Sequence, residues 1–436
     1  MACFAPNTVD FWRDMTTIFN VDKKERCILH CDLNNFYASV ECLLNPCLKG
    51  YCVAVTGDQD MRHGIVLAKS NEAKAMGVKT AEAIWQARKK CPDLICVPPH
   101  YNAYVEYSKK VKEIYSRYSD RVEAFSLDEC WIDVTDTLPL LGKDGKQTAD
   151  EIRETVKKET GLTISVGVSF TKSFAKLGSD MKKPDATTVI TKENFRKTVW
   201  NLDVADMIMI GRKTAEKLNK YNIFTIGQLA KADDWLMKDL FGVNGIKILD
   251  AANGRDFTPV ALSHEDRDIK SVGHGTTAAK DVGTYEDASN IIYFLCEMIS
   301  TRMRRYKVKG KTVSLDMRDI SLNHLTRQKP MPKHSFVTKD IAKAAVALLK
   351  ENWRPDSDLP LRTITVAVSG LESSEGGEQQ DFLYDDGRKA EKLENAVDTI
   401  REKYGFAAIS RANYFGSDFI TDKQCGDDDL LPFKRG

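Results

Sequence analysis

The sequence predicts an α+β protein of several domains, on three observations. Its 436 residues suffice for two to four domains at roughly 100–200 residues each. Apolar strand-like runs alternate with amphipathic helices as far as Pro184, yield to short helices punctuated by glycine, and return around two long helices between Ser271 and Gly370. Hydrophobic residues make up 42% and charged residues 29%, a globular composition that excludes full disorder and a collagen-like rod.

In chain order, a polar lead-in of residues 1–24 precedes Cys27 to Asp32 (C-I-L-H-C-D), a short apolar run ending in an acid that suits a buried strand. A helix is expected from Phe36 to Leu44, stopped before Pro46. Gly50 to Thr56 and Gly64 to Ala68 resemble strands, and Asn71 to Met76 a helix ended by Gly77. Val122 to Thr135 has strand character on both sides of a polar break at Ser126 to Glu129, which predicts a hairpin with acids at its turn. Thr148 to Thr160 reads as a helix, Leu162 to Ser169 as a buried strand and Lys172 to Met181 as a Lys-rich helix. Further on, Ile208 to Leu218 and Leu240 to Ala251 each place a glycine turn before an amphipathic helix. Residues 258–270 read as a linker. Strands at Lys311 to Ile320 and Arg362 to Val368, with helices at Tyr285 to Tyr306 and Asp340 to Lys350, make a last α+β domain. Ser373 to Gly377 is expected to be a flexible joint, and Arg388 to Tyr404 a charged helix.

The longest apolar runs, such as Ile164 to Phe170, fall far short of the ~20 residues that cross a bilayer, and no basic-then-apolar leader is present. A soluble cytoplasmic protein without membrane contact is expected. Eleven cysteines without a C-x-x-C pair read as thiols in a reducing compartment rather than as a zinc site. The net charge of +1 conceals a division: residues 372–436 hold 15 acidic against 9 basic side chains, a net of −6, which leaves +7 on the first 371. Such asymmetry suggests a body that binds a polyanion and a tail that faces something else or shields the body.

Asp32 closes one expected strand, and Asp128 with Glu129 occupies the hairpin turn about a hundred residues later. Carboxylates converging at strand ends can hold two Mg²⁺ ions about 3.5–4 Å apart, which activates an attacking hydroxyl and stabilises a leaving pyrophosphate. Taken singly, each acid reads equally as a solvated turn or a helix cap.

The neighbours of these acids decide between the readings. D-L-N-N-F-Y-A-S-V-E (32–41), F-S-L-D-E-C-W-I-D (125–133) and S-V-G-V-S-F-T-K-S-F-A-K-L-G-S-D-M-K-K-P (165–184) occur in this order. Together they resemble the Y-family, or translesion, DNA polymerases over about residues 25–370. The stretch N-E-A-K-A-M-G-V-K (71–79) is similar to the finger motif of the UmuC/DinB-like bacterial branch. The resemblance implies a right-hand architecture: palm at 25–35 and 102–184, small fingers at 36–101, a helix-hairpin-helix thumb at 185–257, a linker at 258–270, a little finger at 271–371 and an acidic tail at 372–436. It implies template-directed synthesis by two Mg²⁺ ions on Asp32, Asp128, Glu129 and the carbonyl of Leu33, in an open, low-fidelity site on primer-template DNA, by a monomer. The incoming deoxynucleoside triphosphate would lie against the main chain at Asn35 to Tyr37, with Tyr37 as a steric gate against a 2′-hydroxyl. Phe36 reads as a core aromatic. Lys176 is expected on the triphosphate. Asn71 stands where many relatives keep a tyrosine and Lys74 where many keep an arginine, and Lys74 reads either as a phosphate contact or as part of a solvated helix face.

For DNA, the resemblance points to the glycine turns at Gly211, Arg212 and Lys213 and at Gly245 and Lys247 as phosphate grips, the second turn reading equally as a packing junction between helices. Arg302, Arg304 and Arg305 open a run of six basic residues without an acid between Thr301 and Thr312, where phosphate contacts are expected. Q-Q-D-F-L (379–383) is similar to the pentapeptide by which bacterial polymerases bind the sliding clamp, with Gln379, Asp381, Phe382 and Leu383 as contacts; its other reading is a packed strand or turn. Two alternatives remain at this level, a non-catalytic DNA-bound relative and another two-metal enzyme such as a nucleotide cyclase.

Overall fold

The computed structural model describes residues 25–57, 64–263, 265, 268–374, 386–405 and 408–412. The polar lead-in and the Q-Q-D-F-L segment lie outside the described residues.

In chain order the strands are β1 (Ile28–Leu33), β2 (Val53–Thr56), β3 (Val66–Lys69), β4 (Ile95–Val97), β5 (Val122–Ala124), β6 (Glu129–Asp133), β7 (Ile164–Ser169), β8 (Thr187–Ile190), β9 (Ser271–Val282), β10 (Val308–Asp319), β11 (His324–Ser335) and β12 (Leu361–Ser373). The principal helices are α1 (Phe36–Leu44), α2 (Asn71–Ala75), α3 (Tyr101–Tyr115), α4 (Gly145–Thr160), α5 (Lys172–Met181), α6 (Arg212–Asn219), α7 (Asp234–Phe241), α8 (Val243–Ala252), α9 (Tyr285–Arg305), α10 (Thr338–Asn352) and α11 (Asp386–Tyr404). Two compact units result, residues 1–47 with 103–265 and residues 48–102 with 266–436.

The first unit is built on a five-stranded sheet in the order β5-β6-β1-β7-β8. Strand β1 runs antiparallel to β6 on one side and to β7 on the other, and every residue of β1 and β7 is buried. Burial on both faces is why these strands read as continuous apolar runs rather than as alternating ones. Gly167 lets α5 press onto β7: a Cβ there would lie 1.9 Å from the carbonyl oxygen of Ala175 and 2.5 Å from the nitrogen of Ser179. Behind α5, a helical module packs Leu218, Ile226, Leu229, Met237 and Leu249 against Phe170, Phe174 and Leu177. The expected linker is partly tied down. Val260 is buried beside Ile28, Trp131 and Ala175, and the Ala261 N–H donates to Glu123 (3.0 Å), a buried carboxylate that also pairs with Lys172 (2.6 Å).

The second unit holds a small sheet in the order β3-β2-β4 and a large antiparallel one in the order β11-β10-β12-β9. On the large sheet, alternate residues Val313, Leu315 and Met317 of β10 and Ile364, Val366 and Val368 of β12 face a core completed by Ile291, Leu295 and Ile299 of α9 and by Ile341, Ala345 and Leu348 of α10. The described cysteines are free thiols; Cys31, Cys91, Cys130 and Cys296 are buried.

Candidate active site

Strand pairing places the acids. Asp32 lies opposite Glu129 across the β1/β6 ladder, so the two side chains share a face of the sheet, the one on which α5 lies. His30, two residues back on that face, bonds through Nδ1 to Ser179 Oγ of α5 (2.8 Å). Ser179 gives its proton to the Lys176 carbonyl (2.7 Å), so the His30 Nδ1–H is the donor in that pair. Burial, reinforced by Lys176 and Lys183, holds His30 well below the usual histidine pKa and therefore neutral.

Two ammonium groups neutralise the acids. Lys176 Nζ bonds to Glu129 and lies 3.5 Å from Asp32 Oδ2 and 3.2 Å from Asp180. Lys183 Nζ lies 2.8 Å from Asp32 Oδ2 and 2.9 Å from Asp180 Oδ1. Burial, together with the hydrogen bond to the Asp32 carboxyl, pushes Glu129 up to about 7 against the pull of Lys176. Burial works against charge on Lys176, yet Glu129, Asp180 and Asp32 outweigh it and hold the ammonium above its ordinary value.

Asp128 stands apart from this pair. Its carboxylate accepts from Ser126 Oγ, and that oxygen accepts in turn from the main-chain N–H of Glu129 (3.1 Å). The turn is closed by the Leu33 N–H on the Asp128 carbonyl (3.0 Å) and pinned by Ser108 Oγ and Lys112 Nζ on the carbonyls of Leu127 and Ser126. Among the described residues, no three His, Cys, Asp or Glu side chains are gathered closely enough to hold a metal ion. The structure therefore brings two of the three expected acids together.

Just past Leu33, Asn35 adopts a left-handed conformation (φ 50°, ψ 39°) at the start of α1, a bend that L residues other than Asn and Asp rarely take. Phe36 is buried and Tyr37 half-buried. The Tyr37 ring stacks on Tyr104 of α3 with centroids 4.2 Å apart and planes within 9°, and Tyr104 donates its hydroxyl to the buried carboxylate of Glu41. Tyr37 is thus held by a second aromatic that is itself fixed.

On the second unit, Ser70 caps α2 by accepting from the Ala73 N–H (3.3 Å), which leaves Asn71 and Lys74 exposed. In the helical module Gly211 opens α6 with nothing within 4 Å of a Cβ, and Arg212 and Lys213 follow it into solvent. Gly245 fits the packing reading of its turn. It is buried inside α8, where a Cβ would lie 1.9 Å from the Met237 carbonyl, so it serves the α7–α8 contact rather than a phosphate; Lys247 is exposed.

The arginine cluster departs from expectation. Arg302 is buried and donates to the Met298 carbonyl (3.3 Å). The Arg304 side chain is buried against α11, with Nη2 2.8 Å from Asp398 and Nη1 3.1 Å from Glu394. Arg305 follows at the end of α9. Phosphate contacts were expected of this run, but acids of the tail pair with Arg304 and Lys309, while Arg305 and Lys311 are exposed.

The impB/mucB/samB family matches residues 31–180, its helix-hairpin-helix motif residues 192–223 and its C-terminal domain residues 269–382. "DNA polymerase IV" of Acetivibrio thermocellus is 43% identical over 389 residues, spanning 89% of this chain and 97% of its own. The chain belongs to the Y family of DNA polymerases. "DNA polymerase IV 1" of Bacillus subtilis is 34% identical over 415 residues, covering 92% of this chain and 99% of its own. A solved Y-family DNA polymerase chimera superposes with a TM-score of 0.69 over 79% of this chain and 99% of its own, at 22% identity, and shows the fold. The protein is a DNA-directed polymerase of the translesion type, on the bacterial DinB-like branch, and such a polymerase binds DNA and depends on divalent metal.

The donors of the polymerase suit that requirement. They are carboxylate oxygens, the ligands preferred by Mg²⁺, and positive charge already sits among them as Lys176 and Lys183. Sequence reasoning missed Lys183, Asp180, Tyr104 and Ser126. Lys183 and Asp180 lie inside a quoted motif, but only the fold of the chain after α5 returns Lys183 to Asp32. No helm of spacing marks Tyr104, sixty-seven residues after Tyr37, as its partner.

Proposed function

We propose that the polymerase extends a primer 3′-hydroxyl with deoxynucleoside triphosphates using two Mg²⁺ ions, held by Asp32, Asp128, Glu129 and the Leu33 carbonyl. The observation that carries this reading is the Asp32–Glu129 pair across β1 and β6, with Lys176 and Lys183 on it. When bound, the ions activate the hydroxyl and neutralise the charge that develops on the α-phosphate and the leaving pyrophosphate. Asp32 and Glu129, fixed in register on adjacent strands, would hold the ions with Asp128 and the Leu33 carbonyl, in place of the positive charge that Lys176 and Lys183 otherwise supply. With the acids on metal, Lys176 and Lys183 would offer their positive charge to the triphosphate, which the main chain at Asn35 to Tyr37 supports. Tyr37, backed by Tyr104, packs beneath C2′ and excludes a 2′-hydroxyl by clash. Asn71 and Lys74 add contacts from the fingers, and Gly211, Arg212, Lys213 and Lys247 grip duplex phosphates.

The same reading assigns palm, fingers, thumb and little finger to the boundaries expected from sequence, a monomeric cytoplasmic enzyme, and a sliding clamp as partner through Gln379, Asp381, Phe382 and Leu383. Primer extension with Mg²⁺ and four deoxynucleotides tests it: Asp128→Ala with Glu129→Ala abolishes synthesis while duplex binding persists, and undiminished synthesis by that variant overturns the assignment.

A further inference from the structure

Helix α11 lies with its charged side inward. Glu394 and Arg401 are buried, whereas Leu393, Ile400 and Tyr404 are exposed, with Leu393 at 66% and Tyr404 at 67%. A soluble helix ordinarily buries the opposite set. The acids of α11 meet a convergent group of donors. Arg304 of α9 places Nη2 2.8 Å from Asp398 and Nη1 3.1 Å from Glu394. Thr301 Oγ1 donates to Asp398 (3.0 Å), and Lys309 of β10 to Glu391 (3.0 Å). At the start of α10, the Thr338 N–H and Oγ1 donate to Glu394 at 3.2 and 2.9 Å. Helix α10 needs that partner, because its N-cap residue is Val337, whose side chain cannot accept.

A guanidinium fork, an ammonium, two hydroxyls and a main-chain N–H at the start of a fifteen-residue helix form the donor set of an oxyanion site. Carboxylates of the same chain fill it. The attachment is made to be exchanged: buried ion pairs gain little net stability because desolvation offsets their attraction, and the apolar stripe of α11 contributes little burial.

We propose that Arg304, Lys309, Thr301 and the N-terminus of α10 form a phosphate-binding site in the C-terminal domain, which α11 keeps filled with Glu391, Glu394 and Asp398 and yields to phosphate oxyanions of the DNA backbone or of free phosphate. The phosphate contact expected of Arg304 is then conditional on release of α11.

The test uses the full chain and fluorescence anisotropy on a labelled primer-template across a series of salt concentrations. Glu391→Gln, Glu394→Gln and Asp398→Asn together are expected to tighten binding about 10-fold near 0.1 M salt and to steepen the slope of log affinity against log salt by about two, the equivalent of two added phosphate contacts. Adding Arg304→Gln and Lys309→Gln to the triple variant returns affinity and slope to those of the parent. A triple variant that shows neither tighter DNA binding nor a Tm raised by inorganic phosphate overturns the proposal. So does a gain that survives loss of Arg304 and Lys309, since it would follow from removal of negative charge alone. Thermal unfolding with added inorganic phosphate separates the sources: a higher Tm of the triple variant without tighter DNA binding assigns the site to free phosphate. If the triple variant fails to fold, Arg401→Gln loosens α11 by breaking its 2.6 Å pair with Glu297, leaves donors and acceptors unchanged, and is read by the same criteria.

Discussion

Gly167→Ala tests how the active site is held. The added Cβ would lie 1.9 Å from the Ala175 carbonyl and 2.5 Å from the Ser179 nitrogen, where ordinary contact begins at 3.4 Å, so α5 must retreat by about 1.5 Å. Both obstacles are backbone, and no side-chain rotation relieves them. Such overpacking costs roughly 1–3 kcal/mol of stability. The larger effect falls on chemistry, because α5 carries Lys176 and, through Ser179, the hydrogen bond to His30. A misplacement of about 1 Å can cost ~10²-fold in rate. Single-nucleotide insertion under steady-state conditions should therefore fall about 10²-fold in kcat/KM, with the Tm lowered alongside. Gly283→Ala, whose Cβ meets nothing within 4 Å, serves as the control and should behave like the parent. Parent-like insertion and Tm in Gly167→Ala would refute the claim that close α5–β7 contact positions Lys176.

Three further outcomes follow. Tyr37→Ala should admit ribonucleotides, and Tyr104→Ala should weaken discrimination partially by freeing the Tyr37 ring; equal selectivity in both variants and the parent, measured as the ratio of deoxy- to ribonucleotide kcat/KM, would remove the gate. In metal-free protein Glu129 has a folded pKa of about 7 against an ordinary 4.5. Its contribution to stability is thus complete below pH 4.5 and lost as pH rises to about 7, so the Tm difference between parent and Glu129→Gln should change across that window, and a constant difference would contradict the burial argument. Clamp titration against Phe382→Ala with Leu383→Ala should show weakened binding, whereas parent-like affinity would place the contact elsewhere.

Much of the fold was legible because its signals are local. The bounds of α1 and α5 match expectation residue for residue, since Pro46 and the strand before Lys172 delimit them. The hairpin at residues 122–135 was readable from its polar break. Strands β9 and β11 were not, because β9 carries Gly273 and Gly275 and β11 is mostly exposed, with Pro330 and Pro332 within it. Within the site, Asp32 and Glu129 were legible from their motifs, and the structure adds their shared face. The role of Gly245 was left between two readings and that of Arg304 was not legible. One depends on the approach of two helices, the other on acids ninety residues away, Glu394 and Asp398. Charge division did mark the tail as a cover for the basic body, but it named no partner.

The most direct test of the central claim, that the carboxylates at the ends of β1 and β6 form a metal-dependent synthetic site, is insertion of one templated deoxynucleotide by Asp32→Asn across a Mg²⁺ titration. Asn keeps the shape and removes the charge. The expected result is a loss of ~10³-fold in the insertion rate, with primer-template affinity essentially that of the parent. Insertion at the parent's rate and Mg²⁺ dependence would contradict the account.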